Sequence, residues 1–182
     1  MKRHLGLVRS SPRNPAAFWL VLAGGAALAY YFLKDTASGV VTAVFRTPQD
    51  ILNAVARIDP ERTPELQPED GLTWCNKAAL LFAKALGVPL LSGLANAQYA
   101  WLDAGNEGWY PAGSASAAQA AALEGKVVFA SWYNFGGHGH IALVLPIAGP
   151  TVMIAQAGKT NYNEAPLSWG FGSKRPSFYV HD

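Results

Sequence analysis

Gly136-Gly137-His138-Gly139-His140-Ile141-Ala142-Leu143-Val144-Leu145 is the stretch on which the fold turns. Its first half is glycine and histidine. Its second half is an unbroken apolar run of strand length, and such a run behind a glycine turn reads as a buried β-strand. Neighbouring segments repeat the pattern: Val127–Trp132 before it, Thr151–Ala157 after it, and Ser177–His181 as a fourth, with Gly, Asn and Pro turns between them. Upstream the period is helical. Residues 75–86 carry apolar positions at 78, 79, 82 and 86, followed by Gly87 as a C′ residue and Pro89 as a stop. A second helix is expected over 94–104 and a third, Ala-rich and short, over 114–123. Helices first and antiparallel strands afterwards predict an α+β fold, with the helices on one face of a small sheet.

Before residue 72 the composition changes. Thr47-Pro48-Gln49-Asp50 is a strong helix start, and Ile51, Leu52, Val55 and Ile58 continue as an apolar stripe that should end at Asp59-Pro60. Residues 59–71 hold three prolines and five acids and read as a linker or extended loop. Further upstream, Ala16–Leu33 is an uncharged run of eighteen residues. At helical rise that covers about 27 Å, close to a bilayer's hydrocarbon core. Lys2, Arg3, Arg9 and Arg13 precede it without an acid, which places the N-terminus in the cytoplasm. Ala27-Leu28-Ala29 also resembles a signal-peptidase site. Against cleavage, Tyr30 to Leu33 prolong the run and resemble an interfacial belt. Either reading exports the rest of the chain. The expected organisation is therefore a basic flank (1–15), a transmembrane anchor (16–33), a juxtamembrane helix and Pro-rich linker (34–71), and a catalytic domain (72–182). The protein would be single-pass, with its C-terminal domain periplasmic or extracellular, or facing out of a virion membrane.

Residues 34–182 carry ten Lys or Arg against twelve Asp or Glu, so the exported part is slightly acidic and no nucleic-acid surface is expected. The chain has one cysteine, so no internal disulfide is possible. Cys75 begins its helix in Leu72-Thr73-Trp74-Cys75-Asn76, with Thr73 as the expected N-cap. A thiol there faces the positive end of the helix dipole and free N–H groups, which favour thiolate and can hold an oxyanion. His140 begins a strand, where a general base is held rigidly; His138 lies in the turn before it. A zinc site from Cys75, His138 and His140 is the competing reading. Two histidines spaced i, i+2 on a strand point to opposite faces unless the turn re-aims them, and a fourth ligand is not evident, so no metal or cofactor is expected.

These pieces together resemble the CHAP and NlpC-type amidohydrolase and peptidase domains. The matching segments are Thr73–Phe82, Ala95-Asn96-Ala97 with Trp101, Gly125–Trp132, Gly139–Val144 and Ile154–Gly158, about half the chain, with His140 65 residues after Cys75. Glu124-Gly125-Lys126 departs from the family's Pro-Gly-Asp turn, and no acid stands clearly at the third catalytic position. The resemblance implies a papain-like core, hydrolysis of amide bonds in peptidoglycan, Cys75 as nucleophile and His140 as base. It also implies an orienting group near the end of the strand after the histidine strand. Period-2 alternation puts Val152, Ile154 and Gln156 on one face of that strand, which selects Gln156, with Asn161 as runner-up. Trp74, Asn76, Asn96, Trp101 and Asn161 are the expected oxyanion or substrate-binding positions. A membrane-anchored structural or binding protein on the same fold, without activity, is the alternative.

Overall fold

A computed structural model describes residues 46–182. The expected basic flank and membrane span lie outside the described residues. Among the described residues no helix is long and apolar enough to cross a membrane.

Five helices and six strands follow in the order α1 (Pro48–Ile58), α2 (Cys75–Ala85), α3 (Ala95–Asp103), β1 (Tyr110–Pro111), α4 (Ala115–Leu123), β2 (Val127–Trp132), β3 (His140–Val144), β4 (Met153–Gln156), β5 (Tyr162–Pro166), α5 (Leu167–Phe171) and β6 (Ser177–His181). The strands form one antiparallel sheet ordered β1-β6-β2-β3-β4-β5. The fold is α+β. Side-chain caps set the starts of α1 and α4. Thr47 and Asp50 close a capping box at the start of α1, and Asp59 ends it in the left-handed region. Ser114 caps α4 through the N–H of Ala117. α2 differs: its N-cap is Trp74, not Thr73, and no side chain caps it. The indole N–H of Trp74 turns back to the carbonyl of Gln67 at 2.9 Å, and Lys77 sits 3.5 Å over its ring. The first N–H groups of α2 are thereby left for another partner.

The sheet is covered on both faces, which corrects the one-sided expectation. Val127, Phe129, Ile141, Leu143, Ala155 and Tyr179 pack with α1, α2 and α3. Val128, Ala130, Ala142, Val144, Ile154, Phe178 and Val180 pack with α4 and Phe171 of α5. Every second residue of a strand faces the same way, so strands with apolar residues at successive positions need a cover on each side. Each branched or aromatic side chain buried there contributes about 1.5–3 kcal/mol. The Ala-rich α4 supplies its half of the cover with Ala118 and Ala122, both fully buried.

The expected linker is also corrected. Ile51, Ala54 and Val55 of α1, and Leu66 of a short 3-10 helix (Pro64–Leu66), belong to the same core as Cys75. Asn161 donates to the carbonyls of Pro60 and Leu66 at 2.8 and 2.9 Å, and Asn163 donates to the Asp59 carboxylate at 2.7 Å. The prolines rigidify this segment and its backbone is satisfied by side chains from β5 and the loop before it, so residues 48–71 are part of the folded unit. Arg46 enters at the far end of α2, with its guanidinium on the Leu86 carbonyl at 2.9 and 3.2 Å.

Candidate active site

Cys75 occupies the first turn of α2, is 5% exposed and belongs to the core on the α1–α3 face. The backbone N–H groups of Ile141, Asn76 and Cys75 itself lie near its sulfur, without a hydrogen bond to it among the described residues. They favour the thiolate. Burial works against them and is the larger effect, so the thiol is pushed above its ordinary range. The uncapped start of α2 and the second residue of β3 thus supply backbone N–H groups suited to a negative sulfur or an oxyanion.

His140 lies one peptide bond before that Ile141 N–H and points the other way. Its ring packs edge-on against Phe171 of α5, centroids 4.8 Å apart. Nε2 of His140 is 2.5 Å from Oε1 of Gln156. The amide of Gln156 is oriented by its other end, since its Nε2 donates to the carbonyl of Thr160 at 3.1 Å. Oε1 is therefore the atom facing the ring, and His140 Nε2 is the donor. That leaves Nδ1 bare and basic in the neutral imidazole. Burial lowers the His140 pKa below its ordinary value, with the Gln156 bond pulling weakly upward.

Glycines permit this packing. A Cβ at Gly170 would collide with Oε1 of Gln156, and one at Gly158 would lie 3.0 Å from Gln156 Nε2 and 3.5 Å from His140 Cε1. A register shift between Ile154 and Gln156 in the β4–β5 pair sits at the same place. His140 and Gln156 share a face of the sheet, as alternation along their strands requires. It is not the face that looks toward Cys75: Ile141 takes that side. No hydrogen bond joins the thiol to the imidazole among the described residues. The two halves instead meet edge to edge at the start of β3.

The remaining expected residues are placed as braces around this point. Asn76 donates to the Gly93 carbonyl at 2.8 Å. Asn96 donates to the carbonyls of Asn134 and Gly137 at 2.9 and 2.8 Å and accepts from the Asn134 N–H at 3.0 Å, stapling the loop that leads into His140. Its Oδ1 lies so close to Gly139 that no side chain fits there. Asn161 accepts from the Gly158 N–H at 3.0 Å and donates to Pro60 and Leu66, so both ends of its amide are spent on backbone. The amide at the imidazole is that of Gln156. Trp74 is tied to Gln67, and Trp101 packs against the core from a partly buried position. His138 is exposed; its carbonyl accepts from Asn134 at 3.0 Å. Among the described residues no group of three or more His, Cys, Asp or Glu side chains is placed to hold a metal ion.

Several participants escaped the sequence reading. Gln98 is fully buried and donates to the carbonyls of Asn76 and Leu91, both at 3.1 Å, bracing the first turn of α2 from below. Its position in an Ala-rich helix, among apolar neighbours, was the available signal. Phe171 and Gly170 were hidden because α5 is only five residues long.

No family model matches the chain, and no curated protein matches it.

Proposed function

We propose that the chain is a papain-like cysteine amidase or peptidase, related in design to the CHAP and NlpC-type domains, with Cys75 as nucleophile, His140 as base and Gln156 as orienting residue. One observation carries the reading: the start of α2 that bears Cys75 packs beside the first residues of β3, with the Ile141 N–H near the sulfur, while Gln156 fixes the far nitrogen of the preceding His140. Thiol and imidazole thereby flank the same end of β3, with Nδ1 as the unspent nitrogen. Catalytic hydrogen bonds are often loose in a free enzyme and tighten on substrate. A modest turn of the imidazole around the open end of β3 is what this site requires.

The steps follow from the atoms present. Nδ1 takes the Cys75 proton. The thiolate attacks an amide carbonyl, whose oxygen gathers negative charge beside the N–H groups at the start of α2. The imidazolium returns its proton to the leaving amine, and the C–N bond breaks. Water, deprotonated by His140, then cleaves the thioester and restores the thiol. In the resting site Gln156 accepts from Nε2 and sets the tautomer; being neutral, it stabilises the imidazolium less than a carboxylate would.

Peptidoglycan is the proposed substrate, and residues 16–33 the proposed anchor, with the domain on the outer side. Arg46 meets the C-terminal end of α2, and an eleven-residue helix separates it from Cys75. At helical rise this is about 15 Å along α2. The test is digestion of purified peptidoglycan by the full chain, with mass analysis of the products. New amine and carboxyl termini are expected, and none from Cys75→Ala; equal products from both proteins would sink the reading.

The second reading, a binding protein without activity, draws on the burial of Cys75, its raised thiol pKa and the absence of a bond to His140. Labelling with iodoacetamide at neutral pH, with and without peptidoglycan fragments, separates the two. The enzyme's thiolate is alkylated fast and is protected by bound fragments, whereas a structural thiol reacts slowly with or without them.

A further inference from the structure

Sheet order puts β6 beside β2, on the side away from β3. Where β2 ends and β6 begins, a groove of about 460 Å³ opens between α3 and the loop after β2. Its wall is aromatic. Tyr99 packs edge-on to Tyr133, with centroids 5.6 Å apart, and Tyr133 packs edge-on to Phe135 at 4.9 Å. Phe135 is 98% exposed.

That exposure is informative because the loop is held. Asn96 binds it at Asn134 and Gly137, and Asn134 closes it internally through the Gly136 N–H at 3.2 Å and the His138 carbonyl at 3.0 Å. A phenyl ring kept in water on a braced loop has little left to lose in entropy when something covers it. Preorganised aromatics of this kind are binding anchors more than accidents of the surface.

The polar atoms of the groove decide what covers it. The hydroxyls of Tyr99 and Ser177 pair with each other at 3.4 Å, and the carboxylate of Asp103 accepts from Tyr179 at 2.8 Å. Arg175 lines the groove, is exposed, and has no ion-pair partner among the described residues. Next to it, Lys174 lies 4.3 Å over the Trp132 ring. A free guanidinium fork matches a carboxylate. A glycan would bring hydroxyls on every side to a wall whose own hydroxyls are already paired.

We propose that this groove is a subsite for a peptide segment carrying a carboxylate near an apolar side chain, the acidic part of the substrate that the hydrolase reading calls for. The apolar side chain lies on Tyr133 and Phe135, and the carboxylate meets Arg175. Trp132 stands opposite His140 in the β2–β3 ladder, so a peptide bound here continues toward the site across a single strand spacing.

The test is calorimetric titration of the full chain carrying Cys75→Ala with acetyl-Phe-Ala-Glu-amide, acetyl-Phe-Ala-Gln-amide and N,N′-diacetylchitobiose. The Glu peptide is expected to bind about tenfold or more tightly than the Gln peptide, the scale of one charged hydrogen-bonded pair. Arg175→Gln should erase that difference, while Phe135→Ala weakens both peptides alike. Equal binding of the two peptides, no effect of Arg175→Gln, preferential binding of the disaccharide, or no binding of any probe overturns the proposal. Chemistry is absent from this assay. If the Glu peptide binds through Arg175 while the wild-type chain leaves peptidoglycan intact, the hydrolase reading falls and the subsite stands; the opposite pair of results does the reverse.

Discussion

The two halves of the candidate site are built by opposite means. The thiol half is backbone: an uncapped helix start and the N–H of Ile141 lie beside the sulfur, within a hydrocarbon core. The imidazole half is side chain: Gln156, Phe171 and the close backbones of Gly158 and Gly170 hold one ring in one tautomer on the other face of the sheet. A backbone cradle survives most substitutions around it but responds to burial. A side-chain clamp is lost with single atoms. The halves should therefore fail differently.

Removing the sulfur is the largest perturbation of function. Cys75→Ala should abolish turnover. Cys75→Ser should come close, since a hydroxyl is a much weaker nucleophile. Thermal unfolding should show Cys75→Ala folded, with a cost of about 1 kcal/mol for the small cavity left in a collapsing site. Turnover retained in Cys75→Ala would show that the backbone cradle serves something other than a nucleophile.

Next in size is the clamp's centre. His140→Ala should lower kcat by about 10²–10⁴-fold, the usual contribution of a positioned base. His138→Ala should change kcat far less, because that side chain is exposed and makes no hydrogen bond. Equal losses from both histidines would break the division of roles.

Gln156→Ala should reduce kcat less than His140→Ala and leave thiol labelling unchanged, because it releases the ring without touching the cradle. Gln156→Glu sharpens the point: a carboxylate at that oxygen would raise the His140 pKa and shift the acid limb of the kcat/KM profile to higher pH. An unmoved limb would mean that the Nε2 contact does not control the imidazole.

The pH dependence of stability separates the halves without any substrate. Burial lowers the His140 pKa, so on acidification the unfolded chain takes up that proton first. Stability should fall as pH drops through about 6.5. Burial raises the Cys75 pKa, so on alkalinisation the unfolded chain loses that proton first. Stability should fall as pH rises through about 8.5. Denaturant titrations of His140→Ala should flatten the acid fall alone, and those of Cys75→Ala the alkaline fall alone.

Asn161→Ala should have the smallest effect on kcat and a clear effect on stability. It strips partners from the Pro60 and Leu66 carbonyls and the Gly158 N–H, at about 1–3 kcal/mol for buried groups left unpaired. A loss of kcat without a loss of stability would return Asn161 to the candidate catalytic residues.

The legible parts of this protein were those with a short-range cause. The capping box at Thr47, the stop at Gly87, and the strands 127–132 and 177–181 all follow from the order of neighbouring residues. β5 and α5 were not legible, because Asn163, Glu164 and Pro166 break any alternation and five helical residues carry no period. The Pro-rich segment misled for a related reason: its composition is that of a linker, and the side chains that dock it, Asn161 and Asn163, lie a hundred residues away.

By itself, then, the order of residues determined the helix-to-strand switch, the α+β class, and a thiol and an imidazole each placed at the start of an element. It did so because helix and strand periods and caps act within a few residues. Only the tertiary structure decided that the sheet is covered on both sides, that residues 48–71 belong to the folded unit, and that Cys75 packs on the face of β3 opposite the one His140 takes. Those outcomes depend on which distant surfaces find each other, and on the fact that consecutive residues of a strand must part company across the sheet.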